Sequence, residues 1–361
     1  MADELYENSH IHKRRVFFRK KSPLWLHIIL FIVTFLSTSI AGVMWANKPF
    51  NDLSYLQYGF NYAILIMIFL LSHEMGHYIA SRIHKVEASL PYFIPFPPTE
   101  LTILSFGTMG AVIKTHSPIP SRKALFDIGV AGPLAGFIVC LIFLIFGLVT
   151  LPPKEFIYQI HPEYITLYNG NIPTTSLHFG DTLLFSLLSK LFANPNGWLP
   201  PMNEIYHYPF LNVGWFGLFV TTLNMLPIGQ LDGGHVTFAM FGKYQSLLAR
   251  IVWWILIFLG IGGFLAFLGE LLQADYPNSL YLFFQRILLP FIAFLKRIAP
   301  WFLSSWGGWL FWAFITKIFI KLDHPPIADM ETLDKKRMVI GWIALIILLL
   351  SFSYNGIYFV E

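Results

Sequence analysis

Within an apolar stretch the chain reads Ser72-His73-Glu74-Met75-Gly76-His77, a dense group of side chains able to do chemistry. If the stretch is helical, His73 and His77 lie one turn apart on one face, where both imidazoles reach a single divalent ion. Glu74 then stands beside the ion without having to bind it, placed to take a proton from metal-bound water. The plain alternative, polar residues at a helix end, fits poorly. A charge at the centre of a membrane span costs about 2.5 to 3.5 kcal/mol, and ionisable groups there usually face an interior site. The single cysteine, Cys140, lies in an apolar run, so no intrachain disulfide and no thiolate cluster can form. Two imidazoles and one carboxylate with an open fourth position make a hydrolytic zinc site, so a third ligand is required.

A second polar interruption of apolar sequence is Asn224-Met225-Leu226-Pro227-Ile228-Gly229-Gln230-Leu231-Asp232-Gly233-Gly234-His235. Its proline and glycines break a helix at membrane depth, where irregular backbone is tolerated only in protein or beside a wet cavity. Asp232 is the only carboxylate between Glu204 and Glu270, which makes it the natural third ligand. Asn224 offers an amide for a substrate carbonyl or a developing oxyanion. Alone, the segment reads equally well as a helix C-cap followed by an Asp-Gly turn; beside His73 and His77 the ligand reading prevails.

The elements that must position these groups follow from composition. Of 361 residues 56% are hydrophobic and only 12% charged, with mean hydropathy +0.61. A soluble domain carries about twice that charge fraction, and the apolar runs reach the roughly 20 residues a bilayer crossing needs. Runs at 24–46, 60–83, 125–148, 213–241 (broken at its centre), 251–272, 301–320 and 338–360 read as about seven crossings. The fold expected is an all-α polytopic membrane protein of about six to seven transmembrane helices with a small membrane-associated β-hairpin or sheet region. The first run follows Lys13, Arg14, Arg15, Arg19, Lys20 and Lys21 and is too long for a cleaved signal peptide. With the N-terminus in the cytoplasm most of the 24 basic residues fall inside. The net charge of +4 then reflects loops facing anionic lipid and gives no support for nucleic-acid binding.

Three segments stand apart. Residues 280–298 are apolar but contain Arg286, Pro290, Lys296 and Arg297, and read as an interfacial or re-entrant helix. Residues 88–116 are rich in proline, β-branched and aromatic residues and read as short strands. The edge at 108–115 is expected to add an unwound substrate as an extra strand through Gly110, Ala111, Val112 and Ile113. Residues 151–209 form a long outer loop with an amphipathic helix over 179–192. Its His161, His178 and His207, like His27, His84 and His116 elsewhere, read as solvated or locally bonded. His235 reads either as a group orienting a ligand or as a helix start, and Asp127 as an N-terminal charge favoured by a helix dipole.

The chain resembles the site-2 proteases, zinc metalloproteases that cut within the membrane. The resemblance rests on HEMGH at 73–77, NMLPIGQLDGGH at 224–235 and GVAGPLAG at 129–136. It implies zinc bound by His73, His77 and Asp232, Glu74 as general base and Asn224 in contact with substrate. It also implies regulated intramembrane proteolysis of a transmembrane protein already cut by another protease, by metal-activated water. The glycines of 129–136 would let that helix pack closely on the catalytic ones. Met225 stands where many relatives have proline, and the outer loop is too short for the PDZ domain of many bacterial relatives. The organisation expected is a basic cytoplasmic segment 1–23, a first transmembrane helix 24–46, a catalytic core 59–243 and C-terminal transmembrane helices 251–361. Within the core lie the HExxH helix 59–83, the β region 88–116, a third helix 125–150, the loop 151–209 and a broken helix 210–243. The expected setting is a bacterial cytoplasmic membrane with the site toward the cytoplasm, the oligomeric state being open. The competing functions are a divalent-metal transporter, which gains nothing particular from Glu74, and a catalytically inactive chaperone of the same fold. A prenyl-protein protease would take its third ligand from glutamate.

Overall fold

The computed structural model describes residues 22–99, 105–273, 278–327, 329 and 331–360. The basic cluster from Lys13 to Lys21 and residues 100–104 of the β region lie outside the described residues. Helix α1 (Leu24–Trp45) is followed by α2 (Phe60–Ile83), strands β1 (Tyr92–Phe96) and β2 (Gly107–Val112), and α3 (Arg122–Val149). Small and hydroxyl residues of α1 face inward and let the β-hairpin in: Ser37 Oγ donates to the Gly107 carbonyl at 2.6 Å, and a Cβ at Gly107 would lie 2.4 Å from Thr38 Cα. The hairpin is antiparallel, with Tyr92 opposite Val112 and Phe93 opposite Ala111, and its register shifts between Phe93 and Pro95. Gly110, at φ 97°, takes up the irregularity.

The outer loop holds α4 (Glu155–Ile160), α5 (Glu163–Thr166), β3 (Leu177–Phe179) and α6 (Leu183–Phe192). The amphipathic helix expected from 179 starts later, because Phe179 belongs to β3 and the Thr182 hydroxyl caps the helix by accepting from Phe185 N–H at 3.0 Å. Its Leu184 and Leu188 are buried and its Leu183, Leu187 and Leu191 exposed.

Helix α7 (Pro209–Met225) opens on proline, where a missing N–H costs nothing. It breaks over 226–231, and α8 (Asp232–Phe241) follows, then α9 (Gln245–Leu271). The C-terminal part is α10 (Ser279–Ile298), α11 (Pro300–Leu303), α12 (Gly308–Ile315, widened into a π turn over 316–320), α13 (Lys335–Ser351) and β4 (Ile357–Phe359).

Two expected spans are corrected here. The run 301–320 is interrupted at 304–307, where Ser305 Oγ donates to the Leu259 carbonyl at 2.5 Å and Gly307 packs on Gly263. The run 338–360 is helical only to Ser351; beyond it Ile357, Tyr358 and Phe359 pair with Phe179, His178 and Leu177 of β3. A strand partner satisfies backbone groups that a continued helix would have satisfied itself.

By length and composition five stretches among the described residues can cross a membrane: 24–45, 53–83, 122–149, 232–271 and 279–298. The last is unbroken despite Pro290 and mostly exposed. Helices α7 and α13, at 17 residues each, are shorter. The molecule is thus an integral membrane protein, mostly helical, with two small two-stranded sheets among the described residues.

The break between α7 and α8 shows how irregular backbone is kept satisfied inside the bundle. The segment after α12 comes in beside it: Gly229 N–H donates to the Leu322 carbonyl at 2.9 Å, and the Gln245 amide donates to the carbonyls of Pro227 at 3.1 Å and Leu322 at 3.3 Å. Glycine is required for these approaches. A Cβ would lie 2.0 Å from the Lys321 carbonyl oxygen at Gly229, and 1.9 Å from that of Met225 at Gly233.

Candidate metal centre

His73 and His77 project from α2 toward α3 and the start of α8. The His73 and His77 Nε2 atoms are 3.2 Å apart, and each lies 3.3 Å from Asp232 Oδ2. Three acceptor atoms thus meet at one point from two separate elements, and all three side chains are largely buried. Two ligand atoms each about 2.0–2.1 Å from a tetrahedral zinc stand about 3.3 Å apart. The buried triangle therefore has the size and donor chemistry of a zinc site.

The surrounding residues explain why the triangle closes. His77 Nδ1 donates to the Ile128 carbonyl at 2.7 Å, which leaves Nε2 unprotonated and aimed inward. His73 Nδ1 is buried without a hydrogen-bond partner. Helix α3 comes close because it presents glycine where the histidines lie: a Cβ at Gly132 would sit 2.1 Å from His77 Nε2, and one at Gly136 would sit 3.3 Å from His73 Nδ1. Gly76 repeats the device from the other side: a Cβ there would lie 2.5 Å from the Ala131 carbonyl oxygen. Asp232 opens α8, and its backbone is held by the packing of Gly233 against the last turn of α7.

The other expected site residues fall around this triangle. Glu74 is 7% exposed and lies beside the backbone of Ile113, just past β2. Asn224 is half-buried at the end of α7, next to the Met225 carbonyl that touches Gly233. The bend after it forms at Leu226 and Pro227 without a proline at 225. Along β2, Val112 is exposed, while Gly110 N–H is engaged by the Thr108 hydroxyl at 2.9 Å.

His235 does not join this triangle. Its Nδ1 meets His324 Nε2 at 2.8 Å, and His324 stacks on Phe238. Asp127 is not a free charge at a helix start: it accepts two hydrogen bonds from Arg337, at 2.8 and 2.7 Å, and lies 2.7 Å from His84 Nε2. This network joins α2, α3 and α13 at one end of the bundle. Sequence reasoning missed Ile128, Gln245 and His324. The Ile128 contact uses a backbone carbonyl, which every residue carries, so no residue type could announce it.

The sequence profile of peptidase family M50 matches residues 61–262, more than half of the chain. The chain belongs to peptidase family M50. The M50 match contains all three converging side chains together with Glu74, Asn224 and the glycines of α3. The chain is 32% identical over 196 residues to "Probable zinc metalloprotease EGY1, chloroplastic" of Arabidopsis thaliana, covering 54% of this chain and 31% of that protein. Against the EGY1 protein of Oryza sativa subsp. japonica it is 33% identical over 178 residues, 49% of this chain and 27% of the other. Against "Probable zinc metalloprotease EGY2, chloroplastic" of Oryza sativa subsp. indica the identity is 27% over 199 residues, 55% of this chain and 32% of the other. The chain thus spans about a third of the length of these curated relatives. No solved structure matches it.

Proposed function

We propose that this M50 protein is an intramembrane zinc endopeptidase that cuts transmembrane segments of membrane-bound regulatory proteins. The observation that carries the reading is the convergence of His73, His77 and Asp232 within 3.3 Å, with Glu74 on the same helix turn. When bound, zinc supplies a Lewis acid that activates water and polarises the scissile carbonyl. Glu74 takes the proton from the attacking water and returns it to the amide nitrogen as the carbon–nitrogen bond breaks, so that one water is added across the peptide. The Asn224 amide donates to the carbonyl oxygen as charge builds there. A helical substrate shields its carbonyls, so it must unwind locally. The outward edge of β2 and the residue after it then accept the freed backbone groups as an added strand.

The substrate is a transmembrane protein, cut beforehand by another protease, and no nucleic acid is involved. The active site faces the side bearing most basic loops. The relatives named above are chloroplastic, so a bacterial cytoplasmic membrane draws no support from them. The test is cleavage of a reconstituted transmembrane substrate by purified wild-type and Glu74→Gln protein, with zinc measured in both. Cleavage by the wild type and none by a zinc-replete Glu74→Gln variant supports the reading. Divalent-ion flux in proteoliposomes without any cleavage would instead favour transport.

A further inference from the structure

A second group of metal-ligating side chains lies in the outer loop, away from the M50 centre. His161 sits between α4 and α5, while Glu204 and His207 lie in the stretch leading into α7. The His161 and His207 Nε2 atoms are 2.9 Å apart, and Glu204 Oε2 lies 3.5 Å from His207 Nε2. His207 Nδ1 meets the carbonyl oxygen of Trp45, the last residue of α1, at 2.6 Å. A carbonyl only accepts, so that nitrogen carries the hydrogen and Nε2 is a lone pair. His161 Nδ1 meets the Glu163 carboxylate at 2.7 Å, with the same consequence.

With the hydrogen of each ring on Nδ1, the two Nε2 lone pairs face each other at 2.9 Å, an arrangement that a shared cation relieves. Glu204 is 0% exposed; its Oε1 accepts from the Tyr164 hydroxyl at 2.7 Å, and its Oε2 is buried with no hydrogen-bond partner. A buried carboxylate oxygen left without a donor is costly unless it is paired or bound to a cation. The outer partners of these three residues, a carboxylate, a backbone carbonyl and a phenol, are those that orient metal ligands and fix the histidine tautomer.

We propose that His161, Glu204 and His207 bind a second divalent ion of the zinc class, which ties the early part of the outer loop to the stretch that leads into α7, where His207 also bonds to the end of α1. Two imidazoles and a carboxylate without thiolate select zinc over calcium or magnesium, and Glu204 with Glu163 offsets the charge of the ion. The ion replaces a repulsion between lone pairs with three bonds and ties segments that are distant in sequence. It takes no part in the hydrolysis assigned to the M50 centre.

The test counts metal in the full chain, purified in detergent and dialysed against micromolar zinc. Wild type is expected to hold about two zinc ions per chain and the His73→Ala/His77→Ala variant about one. Adding Glu204→Gln to that variant, which keeps the acceptor for Tyr164 and removes the charge, is expected to reduce the content to near zero. Cobalt in the His73→Ala/His77→Ala protein is expected to give tetrahedral visible absorption, which His161→Gln abolishes. Chelation should speed proteolytic cutting of the outer loop in wild type and leave its rate unchanged in His161→Gln. About one ion in wild type together with a metal-free His73→Ala/His77→Ala protein would overturn the proposal, whatever the folding of the outer-loop variants.

Discussion

Among the described residues two histidines and a carboxylate come together twice, and the two places differ in how the chain achieves it. In the M50 centre His73 and His77 are four residues apart on one helix, so α2 alone presents two of three donors, and only Asp232 comes from elsewhere. In the outer loop His161 stands far in sequence from Glu204 and His207, and irregular chain, a strand and short helices must fold before the three meet. The first cluster is held by glycine contacts between long helices, the second by side-chain and backbone hydrogen bonds at the ends of elements. Secondary structure thus positions the first, and tertiary packing positions the second.

The sharpest break of this comparison comes from paired carboxylate-to-amide substitutions. Glu74→Gln is expected to reduce cleavage by about 10²- to 10⁴-fold with zinc at the M50 centre unchanged, because the amide keeps the shape and loses the base. Glu204→Gln, in contrast, is expected to lose one ion and leave cleavage within a few-fold of wild type. Turnover and zinc content, measured on the same preparations, read both. If Glu204→Gln abolished cleavage and Glu74→Gln did not, the assignment of chemistry to one cluster and clipping to the other would be reversed.

Next in size is the distinction between Asp232 and Asn224. Asp232→Ala removes a donor from the triangle, so zinc and activity are both expected to fall. Asn224→Ala is expected to keep zinc while lowering the rate about 10²- to 10³-fold, the usual loss for one donor to a developing oxyanion. Elemental analysis beside turnover separates the two. Full zinc occupancy in Asp232→Ala would take that residue out of the ligand set.

The M50 centre was legible because its signals are local. Helical spacing announces His73 and His77, isolation among apolar residues announces Asp232, and small residues at 129, 132 and 136 announce a close helix contact. What eluded the sequence is contact between distant segments. Nothing in His324 or Gln245 shows that they close the break at 226–231, and nothing in Asp127 shows that Arg337 will pair with it across the chain. The C-terminal run reads as one span because its apolar residues continue past Ser351. Apolarity does not distinguish a lipid-facing helix from a strand packed on a protein surface. His161 and His207 read as solvated or locally bonded, since their spacing matches no helical or turn motif, and it is tertiary packing that sets their Nε2 atoms 2.9 Å apart.

Helix packing offers a smaller effect that sharpens the contrast. Gly132→Ala inserts a methyl group into the space of His77 Nε2. The neighbour must move, at a typical cost of about 1 to 3 kcal/mol for overpacking. Zinc affinity at the M50 centre is expected to fall while the outer-loop ion stays bound. Thermal unfolding and the metal count check it, and equal loss from both sites would point to general unfolding.

The smallest expected effect lies on the strand edge beside Glu74. Along a strand, successive N–H groups point to opposite sides. The Lys114 carbonyl accepts from Ser89 N–H at 2.9 Å and so faces the segment before β1, which turns Ile113 away from it, the N–H of Val112 toward β1 and that of Ala111 outward again. Proline at 112 removes a bond of the hairpin itself and disturbs its pairing with Tyr92. Proline at 111 removes only a donor open to an added strand. One backbone hydrogen bond is worth about 0.5 to 1.5 kcal/mol net, so Ala111→Pro is expected to weaken cleavage roughly 2- to 12-fold with zinc and folding intact. Ile113→Pro is expected to cost more, since it removes the outward donor of this edge that lies beside Glu74. A substrate already carrying glycine or proline near its cut site needs less unwinding, and the penalty for Ala111→Pro should shrink toward twofold with it. Cleavage of both substrates by each folded variant decides the matter: an unchanged rate in Ala111→Pro on a fully helical substrate would show that this edge does not hold the peptide.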